Sequence, residues 1–186
     1  MDRALLIIER RKEGAYTRNG FDWTERYPGI TKAAAKLGCR SAIIDGEVIV
    51  QNEHGHSDFD ALKSAIRWRF FCAFDLLHLN GKDLRDRPLL ERRAKLKELV
   101  PSEHPFLFSE EFTGDASAFF RACADHQLEG IVSKLASSKY RSGRSKMWLK
   151  TKCFAESSFV IIGTARDRKT KAPLPLLARA DAQGLA

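Results

Sequence analysis

The sequence lacks three features that would each have pointed to a particular class of protein. Its four cysteines stand far apart with no C-x-x-C pair, so neither a zinc site nor a disulfide scaffold is expected. No apolar run approaches the ~20 residues that a membrane-spanning helix needs. The opening residues place charges around a short apolar core, which is not the pattern of a signal peptide. The simplest prediction is a cytoplasmic protein.

Negative charge is also scarce relative to positive charge. The 186 residues include 32 Lys and Arg against 24 Asp and Glu, a net charge of +8. This surplus favours a polyanionic partner, although a generally basic soluble protein would show the same total. The distribution is more informative, because residues 128–152 hold seven Lys or Arg and a single acid, Glu129. This stretch predicts contacts with nucleotide phosphates or a nucleic-acid backbone.

Short strands and helices follow one another without strict alternation, which predicts an α+β fold and not a doubly wound parallel sheet. The first two strands are expected to turn at Lys12-Glu13-Gly14. A third strand, broken at Asp45-Gly46, and an apolar strand that ends at Asn80-Gly81 come next. Helices are predicted at 29–38, 58–68, 88–100 and 115–130, and further strands at 130–134 and 147–152.

The clearest amphipathic helix is the one at 88–100. It begins at Pro88 and is expected to turn Leu90, Leu96 and Leu99 towards the core. The character of the chain changes after residue 157, where two β-like pieces flank a polar, proline-containing segment. We therefore expect a first domain over residues 1–157 and the beginning of a second, incomplete domain over residues 158–186.

Three carboxylates stand at positions that call for a partner. Glu47 and Asp75 interrupt apolar strands, where an unpaired buried carboxylate would cost several kcal/mol. Each would therefore face a cleft or a partner, or else point outward from a half-exposed strand. Glu129 lies where a helix gives way to a strand, a place typical of active-site groups and also of capping or surface residues.

The lysines near the end of the basic stretch have a strand-like spacing. Lys150 and Lys152 are two residues apart, so both side chains leave a strand on the same face. Two like charges side by side favour a bound anion between them, such as a phosphate. Lys134 occupies a similar strand position. The alternative is a solvated edge strand that lysines protect from aggregation.

Taken in order, the motifs "TRNG", "DGE", "AFD", "EGIVSK" and "WLKTK" resemble the nucleotidyltransferase motifs of ATP-dependent DNA ligases. The phrases "TRNGFDWTERYP" and "YRSGRSKMWLKTK" are similar to those of bacterial ligases that act in non-homologous end joining. The resemblance covers residue 3 to about residue 165. It implies an adenylation domain, with mainly antiparallel sheets flanked by helices, followed by the first hairpin of an OB-fold.

The resemblance also implies an activity. Enzymes of this kind carry AMP on a lysine, pass it to a DNA 5′-phosphate and seal the nick with release of AMP, using ATP and Mg²⁺ or Mn²⁺. Their partners would be nicked or broken double-stranded DNA and a Ku-type end-binding protein, which implies association with the nucleoid. The alternatives are a non-catalytic module that binds nucleotides or DNA ends, and an RNA ligase-type or capping-type nucleotidyltransferase.

Carried over residue by residue, the motifs imply roles for individual side chains. Arg3 and Arg18 would contact the nucleotide, Glu47 would bind its ribose region and Phe74 would stack on the adenine. Glu129 would hold the catalytic metal. The cations expected to contact the nucleotide and act on its α-phosphate are Lys134, Lys150 and Lys152, and those expected on the DNA backbone are Arg141, Arg144 and Lys146.

One motif of the ligase family is missing. The nucleophile of these enzymes is the lysine of K-x-D-G-x-R, and counting back from "TRNG" places the motif arginine at Arg3 and the lysine before the first residue. Lys12 in "RKEGAYTR" has a spacing one residue short and falls at the expected turn, so it is not predicted to replace it. The chain is expected to be an adenylation domain shortened at both ends, through gene decay, gene splitting or a start site assigned too late.

Overall fold

The structure is a computed structural model. It describes residues 2–10, 12–51, 69–101, 103–126, 128–143, 145–153, 159–178, 180–181 and 184–185. The chain divides into two compact units, Met1–Cys153 and Phe154–Ala186. Within the described ranges, no helix has the length and apolar character needed to cross a membrane. The helix predicted at 58–68 lies outside the described residues.

The first unit is built on a six-stranded sheet with the strand order β2-β1-β3-β4-β5, in which a sixth strand also pairs with β4. The β4–β6 pair is parallel and the other pairs are antiparallel. The strands are β1 (Asp2–Glu9), β2 (Lys12–Thr17), β3 (Ser41–Val50), β4 (Arg69–Leu79), β5 (Lys82–Asp83) and β6 (Phe106–Phe108).

The remaining elements of this unit are helices and a separate hairpin. A short 3-10 helix (Thr24–Arg26) precedes α1 (Pro28–Ala34). Helix α2 (Leu89–Leu99) lies between β5 and β6, and α3 (Ala116–Asp125) follows β6. The antiparallel hairpin is formed by β7 (Gly130–Lys134) and β8 (Trp148–Lys152). Mixed helices and mainly antiparallel strands confirm the α+β prediction.

The two faces of the central sheet have different characters. Side chains alternate along a strand, so β1 buries Ala4, Leu6 and Ile8 on one face, where they join the hydrophobic core. Ile44 of β3 and Ile30 of α1 belong to the same core. The alternate positions of β1 and β3 lie on the opposite face, which is the face that carries the polar residues of the candidate site.

The connection between β1 and β2 corrects one sequence prediction. The turn falls at Arg10, and Lys12, Glu13 and Gly14 belong to β2, because Glu9 already pairs with Lys12. Arg10 has a φ of 47°, a conformation that two-residue hairpin turns commonly require. The glycine that suggested a turn therefore lies inside a strand.

A second correction concerns β3, which runs without a break through Asp45-Gly46. β4 instead carries two extra residues opposite β3, Leu77 and Phe74. Phe74 is extra because Asp45 pairs with Asp75 and Gly46 pairs with Ala73. A side chain at Gly46 would collide with the neighbouring strand, so glycine permits the close pairing. Such a bulge redirects a side chain, here that of Phe74.

Helix α2 buries a different face from the one that its leucines suggested. Leu96 is buried and Leu99 is half-buried as predicted, whereas Leu90 is 52% exposed and its neighbour Leu89 is buried instead. The inward prediction for Leu90 is therefore wrong. The helix is rotated so that Arg92, which is completely buried, reaches an acidic partner in β4.

Helices α1 and α3 are shorter than predicted. The side chain of Asp115 caps α3 by accepting hydrogen bonds from Ser117 N at 2.8 Å and Ala118 N at 3.3 Å. The helix ends because the chain turns towards β7, with Leu128 N donating to the carbonyl of Cys123. Glu129 thus follows the helix by several residues.

The second unit contains an antiparallel hairpin of β9 (Val160–Arg166) and β10 (Pro173–Ala178), and a smaller pair of β11 (Ala180–Asp181) and β12 (Gly184–Leu185). The turn between β9 and β10 is organised by Asp167, whose carboxylate accepts hydrogen bonds from Lys169 N and Thr170 N. The two predicted β-like pieces are therefore paired strands.

Candidate functional site

The β7–β8 hairpin gathers the lysines of the basic stretch on one face. In its register Lys134 pairs with Trp148 and Val132 pairs with Lys150, so these side chains leave on the same side of the hairpin. Lys152 is opposite Gly130, whose φ of 147° and contact with the facing strand leave no room for a side chain.

A cation sits between two aromatic rings at the centre of this face. The Nζ of Lys134 lies 4.2 Å from the ring centroid of Phe74 and 4.1 Å from that of Trp148. The two rings meet edge to face with their centroids 5.9 Å apart. The guanidinium carbon of Arg3 is 5.5 Å from the Phe74 centroid and 5.8 Å from the Trp148 centroid. These are distances at which cation–π attraction operates.

Lys134 is unusually desolvated for a lysine. Burial lowers the pKa of its ammonium from 10.5 to about 8, and the negative charge of Asp75 partly opposes that shift. A lysine held in this state gains more from a nearby anion than a solvated one does, because its charge is poorly compensated by water. The geometry therefore favours a negatively charged ligand next to the rings.

Arg3 is held in place by a carboxylate below it. Its Nε donates to Asp45 Oδ1 at 3.0 Å, and its Nη2 donates to Asp45 Oδ2 at 2.6 Å. This hydrogen bonding raises the pKa of Arg3 against the opposing effect of burial. The Tyr140 hydroxyl donates to the same Oδ2 at 3.3 Å, and Asp45 itself is completely buried.

Glu47 lies beside this group on the sheet. It pairs with Arg3 of β1 and with Cys72 of β4 in the strand register. The pKa of the Cys72 thiol is raised mainly by burial and further by the charge of Glu47. Glu47 is half-buried, so it neither points freely into solvent nor joins the apolar core.

The second polar group on the hairpin face centres on Glu129. Its Oε1 accepts a hydrogen bond from Lys150 Nζ at 2.7 Å and lies 3.8 Å from Lys152 Nζ, which confirms that the two lysines share a face. The hydrogen bond from Lys150 is the main cause that lowers the pKa of Glu129. Both lysines are about half exposed.

Glu129 could bind a divalent metal ion only together with oxygen atoms from a bound phosphate and from water. No group of three or more His, Cys, Asp or Glu in the described part of the chain could hold a metal ion. Mg²⁺ is commonly bound by one or two carboxylates together with substrate phosphates and water. A single carboxylate beside two lysines that would attract phosphate is compatible with that arrangement.

Among the described residues, the remaining predicted site residues make no contact with the lysines or aromatic rings of this cluster, although Arg141 donates to the Tyr140 carbonyl at 2.9 Å. Arg18 is exposed in the turn that follows β2. Arg141 forms an ion pair with Asp86 at 3.2 Å, and Lys146 is exposed. Arg144 lies outside the described residues.

Sequence reasoning missed the residues that support the cluster from behind. Arg92 makes two bonds of 2.8 Å to the Asp75 carboxylate and donates to the Ser138 carbonyl at 3.0 Å. Arg93 donates to the Phe74 carbonyl at 3.1 Å. The sequence offered one signal for these residues: the helix that carries the consecutive Arg92 and Arg93 follows a strand in which Asp75 needs a partner.

Comparison with known proteins assigns the chain to a family. Residues 2–152 match the family described as "ATP dependent DNA ligase domain". The chain belongs to the ATP-dependent DNA ligases. This confirms the resemblance inferred from the motif order.

Two curated relatives illustrate the position of this ligase-family chain. It is 42% identical over 168 residues to the multifunctional non-homologous end joining protein LigD of Pseudomonas aeruginosa, covering 87% of this chain and 20% of that protein. It is 33% identical over 163 residues to the SPbeta prophage-derived DNA ligase-like protein LigB of Bacillus subtilis, covering 83% and 59%. The chain thus spans one fifth to three fifths of the length of these relatives.

Solved structures agree with this assignment. The ligase-family chain superposes on mycobacterial DNA ligase D complexed with ATP and MES with a TM-score of 0.73 and 29% identity, covering 89% of this chain and 55% of that one. The ligase domain of Mycobacterium tuberculosis LigD gives a TM-score of 0.72 at 26% identity, covering 100% and 61%. The fold of this chain is therefore that of the LigD ligase domain.

Proposed function

We propose that this chain binds the AMP portion of ATP, with the base beside the Phe74 and Trp148 rings and the phosphate at the lysine-bearing face of the β7–β8 hairpin. The chain would do so as part of an enzyme that joins nicks or breaks in double-stranded DNA. The observation that carries the proposal is the convergence of Lys134 on both rings, with Lys150 and Lys152 on the same hairpin face. Rings for a base and cations for a phosphate stand side by side.

Each end of the nucleotide has a natural partner in this arrangement. An adenine stacked on Phe74 would gain about 1–3 kcal/mol. Glu47 would accept hydrogen bonds from the ribose, and Arg3 would contact the sugar–phosphate end. Arg18 is proposed as a further nucleotide contact from the turn after β2, on the resemblance alone.

The lysines would stabilise charge on the α-phosphate. Nucleotidyl transfer depends mainly on positioning and on stabilising charge spread over the phosphate oxygens. Lys134, Lys150 and Lys152 would supply fixed positive charge there. Glu129 would hold Mg²⁺ or Mn²⁺ together with the phosphates, and the ion would act as a Lewis acid.

Covalent transfer of AMP needs a nucleophilic lysine, and the sequence contains no K-x-D-G motif. Lys12 does not replace it, because it pairs with Glu9, six residues along β1 from Arg3 and so ~20 Å away. We therefore propose nucleotide binding, and not lysine adenylation, as the activity of this chain by itself.

DNA and further domains complete the proposal. Arg141, Arg144 and Lys146 would contact the DNA backbone, and a Ku-type protein is proposed as a partner at DNA ends, in the cytoplasm on the nucleoid. Residues 1–157 would form the adenylation domain. Residues 158–186 would form the first hairpin of an OB-fold, which the antiparallel β9–β10 pair supports.

Calorimetric titration with AMP tests the proposal. Lys150→Ala and Lys152→Ala should each weaken AMP binding by about tenfold or more, since a charge-assisted hydrogen bond contributes roughly 1.5–3 kcal/mol. Lys32→Ala, which removes an exposed lysine from α1, should leave the affinity unchanged. Absence of AMP binding by the unaltered chain, or full affinity in both hairpin variants, would refute the proposed role.

A further inference from the structure

We propose that Asp45 is a positioning residue for nucleotide binding, because it holds one edge of the Arg3 guanidinium and the Tyr140 hydroxyl at the same time, and so aligns the other edge of Arg3 with the ligand. This inference rests on the nucleotide site proposed above. Asp45 would not touch the nucleotide. It would act through Arg3.

The carboxylate of Asp45 is fully engaged. Oδ1 accepts from Arg3 Nε at 3.0 Å, and Oδ2 accepts from Arg3 Nη2 at 2.6 Å and from the Tyr140 hydroxyl at 3.3 Å. Asp45 has no exposed surface, so its charge requires these partners. A neutral side chain of the same shape would fill the space without holding the guanidinium as firmly.

The opposite edge of Arg3 is available to a ligand. A guanidinium has five N–H donors, and the contact with Asp45 uses Nε and one hydrogen of Nη2. Nη1 donates to no residue in the described part of the chain. The Arg3 side chain is 37% exposed, and its guanidinium carbon lies within 5.8 Å of both aromatic centroids. This edge suits the sugar–phosphate end of a nucleotide stacked on the rings.

Asp45 also joins the sheet to the segment that connects β7 and β8. Tyr140 is 95 residues away in sequence, and its ring packs edge to face on Trp148 with the centroids 6.3 Å apart. The backbone N–H of Tyr140 donates to the Arg85 carbonyl, which fixes the segment independently of Asp45. Loss of the Asp45 charge should therefore disturb the alignment of Arg3 more than the fold.

The decisive experiment compares AMP with adenosine in calorimetric titrations of the whole 186-residue chain. Asp45→Asn should weaken AMP binding about tenfold and adenosine binding much less, because the misaligned guanidinium serves the phosphate end. Arg3→Lys, which keeps the charge and loses the paired geometry, should show the same selective loss. Combining Arg3→Lys with Asp45→Asn should add little to either single change.

A matched control separates positioning from a general loss of charge. Glu110→Gln removes a carboxylate from an ion pair with Lys97, at 3.5 Å, that is exposed and makes no contact with Arg3, Asp45 or Tyr140. This variant should bind AMP and adenosine normally. Equal losses for AMP and adenosine in Asp45→Asn, or no loss in either, would overturn the inference, as would a matching AMP loss in Glu110→Gln.

If circular dichroism shows that Asp45→Asn does not fold, Tyr140→Phe decides instead. This variant removes only the hydroxyl that donates to the Asp45 carboxylate alongside Arg3. It should weaken AMP binding about threefold, with an unchanged melting temperature. Full AMP affinity in that variant would overturn the inference. Failure of the unaltered chain to bind AMP would reject the proposed function itself, whereas normal binding by the unaltered chain and by Asp45→Asn would reject only the positioning role.

Discussion

Arg92 of α2 and Asp75 of β4 form an ion pair in which both side chains are completely buried. Two contacts of 2.8 Å join the guanidinium to the carboxylate, and the third nitrogen, Nη1, donates to the carbonyls of Arg87 and Ser138. The pair therefore connects the helix, the central sheet and the segment that follows Lys134. It lies behind the candidate nucleotide site and does not line it.

Removing one partner of this pair should destabilise the fold strongly. Asp75→Ala should lower the free energy of unfolding by about 3–5 kcal/mol, because it leaves the Arg92 charge buried without a counter-ion. Urea titration followed by circular dichroism measures the change. As a control, Glu110→Ala removes an exposed partner of Lys97 and should cost less than about 1 kcal/mol. Comparable losses in the two variants would contradict the importance of the buried pair.

The affinity for AMP should depend on the protonation of Lys134. The pKa of this lysine is about 8 in the folded chain, so it is mostly charged at pH 7 and mostly neutral at pH 9. Only the charged form attracts a phosphate, so AMP binding should weaken as the pH rises through 8, by at most about tenfold per pH unit.

Lys134→Arg provides the control for this titration. An arginine stays charged throughout the range, so the variant should show a flat AMP affinity between pH 7 and pH 9. The same pH dependence in the unaltered chain and in the arginine variant would exclude Lys134 as its source. Calorimetry in buffers of different ionisation heats would also report the linked proton.

Asp86 should restrain DNA binding. It pairs with Arg141 at 3.2 Å and with Lys139 at 3.6 Å, so its charge offsets cations proposed to meet the DNA backbone. Asp86→Asn should tighten the binding of nicked duplex DNA at low salt. Lys146→Ala should weaken that binding and should reduce the slope of log affinity against log salt concentration by about one. Fluorescence anisotropy at several salt concentrations measures both effects. Unchanged slopes would show that this surface does not meet DNA.

The purified chain should form no covalent adduct with AMP. Incubation with radiolabelled ATP and Mg²⁺, followed by denaturing electrophoresis, should leave the chain unlabelled because the K-x-D-G lysine is missing. A ligase with that motif serves as the positive control. Labelling of this chain would show that another lysine acts as nucleophile, and Lys12→Ala and Lys134→Arg would identify whether it is one of those two.

Several features of the site could be predicted from the sequence because they depend on local periodicity or motif order. The shared face of Lys150 and Lys152 follows from the two-residue repeat of a strand, and both lysines do reach Glu129. The need of Asp75 for a partner follows from the cost of burying a charge. Neither argument requires knowledge of which elements pack together.

Other features could not be predicted because they depend on tertiary packing. The partner of Asp75 is an arginine on α2, and reaching it rotates the helix so that Leu90 is exposed. The bulge at Phe74 arises from the register of β4 against β3, which local sequence does not determine. Tyr140 reaches Asp45 across 95 residues of sequence, a contact that only the assembled fold creates.

Arg92 and Arg93 are consecutive on α2. Arg92 donates a hydrogen bond to the Ser138 carbonyl, and Arg93 donates one to the Phe74 carbonyl. Phe74 and the segment that connects β7 and β8 are thus both held by the same turn of α2. In the nucleotide site proposed above, Phe74 would therefore already be held in place before a base arrives, so little conformational entropy of this residue would be lost on binding.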